Sequence, residues 1–310
     1  LTTGKLSRWV IRPMDESLCL PLAQSPEVAR CYQAMGLPIR QCNRHSGRQV
    51  HLWWQVQSRT LPVVGRVDLV SRGPVARDPH DLTDWLDRWQ RWHDRRPLLL
   101  NADGIGAHDL RAAGFWPLVT PATLALLPLS DRTTMRAALQ GKWRNRLLRA
   151  ENAGLRVTRH VLNGNHWLLE AELTQMRVKR YRGLPPAVSL AFAKANPNKA
   201  VLFEARNRGR PVGAALFLRH GQMATWQIGH SNDEGRRLNA MNRLLWEAMG
   251  WLADAGHGLL DLGTINQQDA PGLAHFKLGT GALAHRLGGT WLHQGALAPI
   301  ARRLPRALAA

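Results

Sequence analysis

Cysteine is nearly absent from this chain: Cys19, Cys31 and Cys42 are the three thiols among 310 residues. An odd count with no short-range pair excludes a disulfide framework, and the spacing fits no zinc pattern. The metalloprotease signature His-Glu-x-x-His does not occur either, so no metal site is expected. No apolar run reaches the ~20 residues that a bilayer-crossing helix needs. The first residues lack the apolar core of a secretory signal, so reduced thiols and a cytoplasmic location are the expectation. Acids are also scarce, with 22 Asp and Glu against 42 Lys and Arg, a formal charge of +20. Such an imbalance attracts polyanions: RNA, anionic lipid head groups or phosphorylated substrates. A basic overall composition without any anionic ligand is the plainer explanation of the same number.

Hydrophobic residues make up 45% of the chain, enough for a packed core, and the length allows two domains. The first half reads as mixed α/β. Strands are predicted at 51–57, 63–70, 97–101 and 122–129, with helices at 81–93 and 108–113, the second stopped by Gly114. In the helix at 81–93, Leu82, Trp85, Leu86, Trp89 and Trp92 recur at helical spacing. A second half opens with a helix from Ser130 or Asp131 to Gly154. Its apolar line is Met135, Leu139, Trp143 and Leu147, and Arg136, Lys142, Arg144, Arg146 and Arg149 crowd the rest. Strands follow near 157–161, 200–206, 212–218 and 225–229, with a helix at 166–181. Met241, Leu244, Leu245, Ala248, Met249 and Leu252 then give the strongest amphipathic pattern in the chain. Gly256 ends that helix, Leu259 to Leu262 is a buried strand, a short helix carries Phe276-Lys277, and a last strand holds Gly289-Thr290-Trp291.

The two halves share one grammar: consecutive strands, a helix, a buried strand ending in a polar residue (Asn101 or Asp261), a short helix, and a last strand. This repetition of architecture predicts a duplicated α/β domain with a cleft between the copies, a favoured place for ligands. The expected division is 1–129, 130–296, and a basic tail from 297 to 310. That tail sets Arg302, Arg303 and Arg306 among apolar residues, a composition suited to terminal packing or to peripheral membrane contact.

With this order in place, the sequence resembles the FemABX family within the GNAT-like fold. The resemblance runs from about Val67 to Trp291. It rests on Ser71-Arg72-Gly73-Pro74-Val75, on Lys142-Trp143-Arg144-Asn145 with Ala150-Glu151-Asn152-Ala153-Gly154, and on Thr174-x-x-Arg177. Further along it rests on Ile228-Gly229-His230-Ser231, on Asn239, on Leu260-Asp261-Leu262-Gly263, and on Phe276-Lys277. What it implies is two GNAT-like domains in tandem, transferring an acyl or aminoacyl group to an amine. The donor would be acyl-CoA, an acyl carrier protein thioester or aminoacyl-tRNA, with no tightly bound cofactor. Some members use charged tRNA to modify a peptidoglycan precursor, and that narrower activity stands beside the general one. Acetyl-CoA-dependent relatives carry a glycine-rich turn before the long helix, whose backbone N–H groups hold the pyrophosphate. Here the turn reads Asn232-Asp233-Glu234-Gly235-Arg236-Arg237-Leu238-Asn239, with one glycine and two acids.

Three residues are candidates for the chemistry. The resemblance puts Lys277 near the reacting groups, where a cation would stabilise a tetrahedral oxyanion. Asp261 stands alone among Leu259, Leu260 and Leu262; buried there it would suit a general base, or it would pair with an arginine. His230, beside Ser231, would relay a proton or serve as a structural histidine. For an anionic substrate, such as a phosphorylated small molecule, CoA, a carrier protein or tRNA, the candidates are Arg177, Arg180, Tyr181, Lys142 and Arg144. Arg236 and Arg237 could meet a phosphate through charge-assisted hydrogen bonds. Phe276, Ser231 and Asn239 complete the set through the resemblance. A non-catalytic module binding RNA or anionic membrane is the competing expectation, since a turn poor in glycine and a high charge suit binding as well as catalysis.

Overall fold

The computed structural model describes residues 18–62, 65–92, 96–179 and 183–303. In chain order, the first part holds α1 (Pro26–Ala34), β1 (Ile39–Ser46), β2 (Gln49–Leu61), β3 (Gly65–Ser71), β4 (Val75–Ala76), α2 (Pro79–Trp92), β5 (Leu98–Ala102), α3 (Ala107–Ala112) and β6 (Phe115–Val119). Next come β7 (Thr123–Pro128), α4 (Arg132–Ala138), α5 (Gly141–Asn152), β8 (Arg156–Val161), α6 (Trp167–Lys179), α7 (Pro186–Ala195), β9 (Ala200–Asn207) and β10 (Arg210–His220). The remainder is β11 (Met223–Ser231), α8 (Asp233–Arg237), α9 (Ala240–Asp254), β12 (Leu259–Ile265), α10 (Pro271–Leu278), β13 (Leu283–Arg286), β14 (Gly289–His293) and α11 (Ala298–Ala301).

These strands form two seven-stranded sheets, ordered β1-β2-β3-β5-β14-β6, with β4 on β2, and β13-β7-β12-β11-β10-β9-β8. The expected duplication is real at this level. Each sheet has a parallel pair joined by a crossover helix: β3 with β5 through α2, and β11 with β12 through α9. A parallel connection requires such a crossover, and the helix buries its apolar stripe on the sheet it returns to. In α9, Leu244, Leu245, Ala248, Met249 and Leu252 are fully buried against β9, β10 and β11. In α2, Leu82, Trp85, Leu86 and Trp89 play the same part.

The sheets do not divide along a linear boundary at residue 129. Strand β7 pairs with β12 and β13 in the second sheet, while β14, near the chain's end, pairs with β5 and β6 in the first. Helix α1 also crosses over: Cys31 packs with Leu168, Phe192 and Leu216, and Lys199 pairs with Glu27 at 2.9 Å. Hydrogen bonding decides this. The exchanged strands are interior ones: β14 lies between β5 and β6, and β7 between β12 and β13.

The single helix expected from 131 to 154 is two. Leu139 turns extended (φ −62°, ψ 134°), and the backbone N–H of Gln140 is donated to the carbonyl of Gly279 at 2.9 Å. The apolar line Met135, Leu139, Trp143, Leu147 is intact across the break, and all four are buried in one core.

Candidate functional site

Strands β11 and β12 run side by side for three residue pairs, Met223 with Leu259, Ala224 with Leu260, and Thr225 with Asp261. Beyond that they part. β11 carries a bulge that takes Gln227 out of register with β10, since Trp226 faces Phe217 and Ile228 faces Leu216. β12 carries another, where Leu262 and Gly263 fall between the pairs Asp261–Leu126 and Thr264–Leu124. Gly263 sits at φ +79°, and its N–H is donated to Asp261 Oδ1 at 2.7 Å. Bulges bend strands and re-aim side chains, and here two of them open a wedge between adjacent strands.

Lys277 on α10 points into this wedge. It is 7% exposed, its Nζ donates to the Thr264 carbonyl at 2.7 Å, and it lies 5.9 Å from the centre of the Trp226 ring. Burial pushes its pKa down to about 8, and the Asp261 carboxylate pulls the other way. Phe276 fills the next position, its ring 6.0 Å from both Trp226 and Trp143. Trp143 comes from α5, so this helix starts against the wedge.

Asp261 is 4% exposed and fully engaged. One oxygen accepts from Gly263 and the other pairs with Arg72 from the first sheet. Of the two expectations, pairing with an arginine is the arrangement found. Arg72 also reaches Asp103 through Nε at 3.3 Å, and Asp103 meets His285 Nε2 at 2.7 Å. Hydrogen bonding to Asp103 raises the pKa of His285, against burial. Four residues, two from each sheet, thus form one ionic chain between the sheets. Arg72, Asp103 and His285 carried no mark in the sequence beyond the Ser71-Arg72-Gly73-Pro74 strand end.

His230 is not brought to Lys277. It packs edge-on to Trp167 at 6.0 Å, on the sheet face that Ile228 shares with Leu216 and Phe192. Strand alternation alone would put Trp226, Ile228 and His230 on one face. The bulge at Gln227 reverses the alternation, so Trp226 joins the α9 side and His230 the α6 side.

At the turn before α9, the N–H of Gly235 is already donated to Asn232 Oδ1 at 2.8 Å. Glu234 accepts from Asn207 Nδ2 at 2.6 Å, and a Cβ on Gly235 would overlap the Val212 carbonyl. Arg236 pairs with Asp233 and donates to the Ser231 carbonyl at 2.6 Å. Arg237 is exposed, and Asn239 starts α9 from the left-handed region at φ +55°. Arg144 caps α4, donating to the carbonyls of Ala137 and Leu139 at 3.2 and 2.9 Å. Lys142 and Arg177 are exposed on α5 and α6, while Arg180 and Tyr181 lie outside the described residues.

Residues 171–278 match a family model described as an acetyltransferase (GNAT) domain. No curated protein matches the sequence. Among solved structures, FemX is similar with a TM-score of 0.73 at 14% identity, covering 93% of this chain and 96% of that one. A conserved protein of unknown function from Bacteroides thetaiotaomicron is similar with a TM-score of 0.54 at 12% identity, covering 86% and 88%. So is the C-terminal domain of a protein named as a lysylphosphatidylglycerol synthetase, from Agrobacterium fabrum, with a TM-score of 0.51 at 17% identity, covering 90% of each. At these identities the likeness is one of fold. Residues 171–278 thus match a GNAT domain model, and the chain as a whole has a tandem fold like that of FemX.

Proposed function

We propose that this protein is an N-acyltransferase that takes an aminoacyl group from an ester donor of the aminoacyl-tRNA kind and passes it to an amine held between the two sheets. The observation that carries this reading is the buried cation Lys277 at the wedge between β11 and β12. The amine nitrogen attacks the ester carbonyl, the carbon–oxygen bond to the ribose breaks, and the proton lost by the amine ends on the departing hydroxyl. Negative charge gathers on the carbonyl oxygen in between, and Lys277 lies where it would stabilise that charge in a water-poor site. Asp261, committed to Arg72 and Gly263, orients the site rather than accepting the proton.

Acyl-CoA fits the turn before α9 poorly. A pyrophosphate needs free N–H groups at a helix start, but Gly235 is capped by Asn232, and Asp233 and Glu234 would repel it. Polyanion binding is better served by α5. Lys142, Arg146 and Arg149 are exposed on it and have no acidic partner among the described residues. The seven-residue step from Lys142 to Arg149 spans roughly 10 Å of helix axis, and the helix begins at Trp143 and Phe276 beside the wedge. A nucleic acid whose acylated end lies at Lys277 would lay its backbone along this face.

Reversing the three charges (Lys142→Glu, Arg146→Glu, Arg149→Glu) is expected to weaken binding of charged tRNA at least about tenfold near 0.1 M salt. The slope of log K against log salt should fall by about 2 to 3, close to 0.9 per lost contact. Fluorescence anisotropy at several salt concentrations measures both, and an unchanged slope would sink the assignment. Because transfer needs Lys277 charged, kcat should also decline as pH rises through about 8. A flat profile from pH 7 to 9.5 would mean that the ammonium takes no part.

A further inference from the structure

The residue that joins the two sheets at the wedge has no role in the transfer reading above. Arg72 follows β3 of the first sheet in a strained place: a side-chain-bearing residue at φ +51°. Its surroundings hold that corner firmly. Gln24, fully buried, donates from Nε2 to the Ser71 carbonyl at 2.6 Å and accepts from the N–H of Gln55 at 2.8 Å. A Cβ on Gly73 would come within 2.7 Å of Gln24. Ser71 Oγ meets Asn101 at 3.0 Å, and Asn101 donates to Thr290 at 2.8 Å, so β3, β5 and β14 are tied together at the same level. From this anchored corner the guanidinium, 17% exposed, crosses to Asp261 of the second sheet, whose side chain is 5% exposed.

The contact sits one link from Lys277. Asp261 fixes Gly263 through its N–H, the next carbonyl, that of Thr264, receives Lys277 Nζ at 2.7 Å, and a Cβ on Gly263 would lie 3.5 Å from the same Nζ. We propose that Arg72 is a positioning residue for the transfer reaction: from the first sheet it holds Asp261, and through the turn 261–264 of β12 it sets where the Lys277 ammonium sits and shields it from the Asp261 charge. The charged groups around Lys277 on both sides are then Asp261 from β12, Arg72 and Asp103 from the first sheet, and His285 from β13. This assignment rests on Lys277 being the working cation.

Removing Arg72 leaves the Asp261 charge to act on Lys277 alone and takes away a repelling cation, and both changes favour the ammonium. The Asp261 charge already acts on Lys277 to raise its pKa, and an opposite charge within about 4–6 Å moves a titration by about 1 to 3 pH units. The test is competitive labelling of the full chain with acetic anhydride between pH 6 and 11, with the Lys277 peptide read by mass spectrometry. The wild type should titrate near 8. R72A should titrate at least about one pH unit higher, R72K should lie between, and in the Asp261→Asn background the R72A increment should shrink to the part due to the lost cation. R72Q keeps a donor to Asp261 without the charge and serves if R72A does not fold. A Lys277 midpoint unmoved in a folded Arg72 variant would overturn the assignment. Since the labelling uses neither donor nor acceptor, that failure would leave the transfer reading intact. An R72A shift without transfer by the wild type would instead overturn the transfer reading and leave Arg72 only its hold on the Lys277 ammonium.

Discussion

Replacing Lys277 with methionine is expected to lower kcat by about 10²- to 10³-fold, the usual loss when one donor to a developing oxyanion is removed. KM should change little, because the interaction grows in the transition state and is weak in the ground state. Stability should hold or rise. A buried lysine whose pKa falls to about 8 carries its charge at a cost on the order of 3 kcal/mol below that pH, and methionine keeps the volume without the charge. The sign follows from proton counting. Between about 8 and the ordinary lysine value of 10.5 the unfolded chain binds more protons than the folded one, so the wild type gains stability as pH rises through this window. K277M should lack that gain. Steady-state kinetics and thermal unfolding at pH 7 and 9.5 measure both. A variant with full kcat, or one that loses activity only because it unfolds, would remove Lys277 from the chemistry. A costly buried charge held by one hydrogen bond among the described residues, to the Thr264 carbonyl, is poor structural material, which makes a functional use the better account of it.

Much of the second sheet was legible because its periodicities are clean. The i, i+3, i+4 pattern from Met241 to Leu252 is the buried face of α9, and Leu259 to Leu262 is β12. Phe276 and Lys277 fall on one short helix beside that strand, as the motif order implied. The N-terminal start of α1 was equally readable, though absent from the sequence expectation. Ser25 caps Val28 and Pro26 takes the first helical position, a local start signal. Pro186 marks α7 in the same way.

What escaped the sequence was long-range. The break at Leu139–Gln140 depends on a carbonyl at Gly279, and nothing in the spacing of Met135, Leu139, Trp143 and Leu147 distinguishes one helix from two. The face on which His230 lies depends on a bulge, and a one-residue slip in a strand inverts every side chain beyond it. Arg72 and Asp261 are 189 positions apart, as are Asn101 and Thr290. These contacts follow from the exchange of β7 and β14 between the sheets, and hydropathy carries no mark of that exchange. The tandem of two like domains was foreseen, but not the ionic chain that joins their sheets.

The same long-range logic predicts the largest stability effect, at Trp143. It is 3% exposed, reaches from α5 to within 6.0 Å of Phe276, and packs so closely on α10 that a Cβ on Gly279 would come to 2.9 Å from its ring. Its indole N–H is buried with no acceptor among the described residues, so truncation sacrifices packing and no hydrogen bond. Trp143→Ala should cost about 3 to 5 kcal/mol through lost burial and the cavity left behind, a fall in Tm on the order of 5–10 °C for a chain of this size. Trp143→Phe should recover more than half of it. The effect should also reach the site. Trp143 and Gln140 are the supports α5 gives to α10, so the alanine variant should lose activity at temperatures where its fold is still intact, as Lys277 drifts from Thr264. Scanning calorimetry beside activity at 15 °C separates the two losses. A Tm shift under about 2 °C would mean that the core relaxes around the gap, and full activity at 15 °C would mean that α10 holds Lys277 without help from α5.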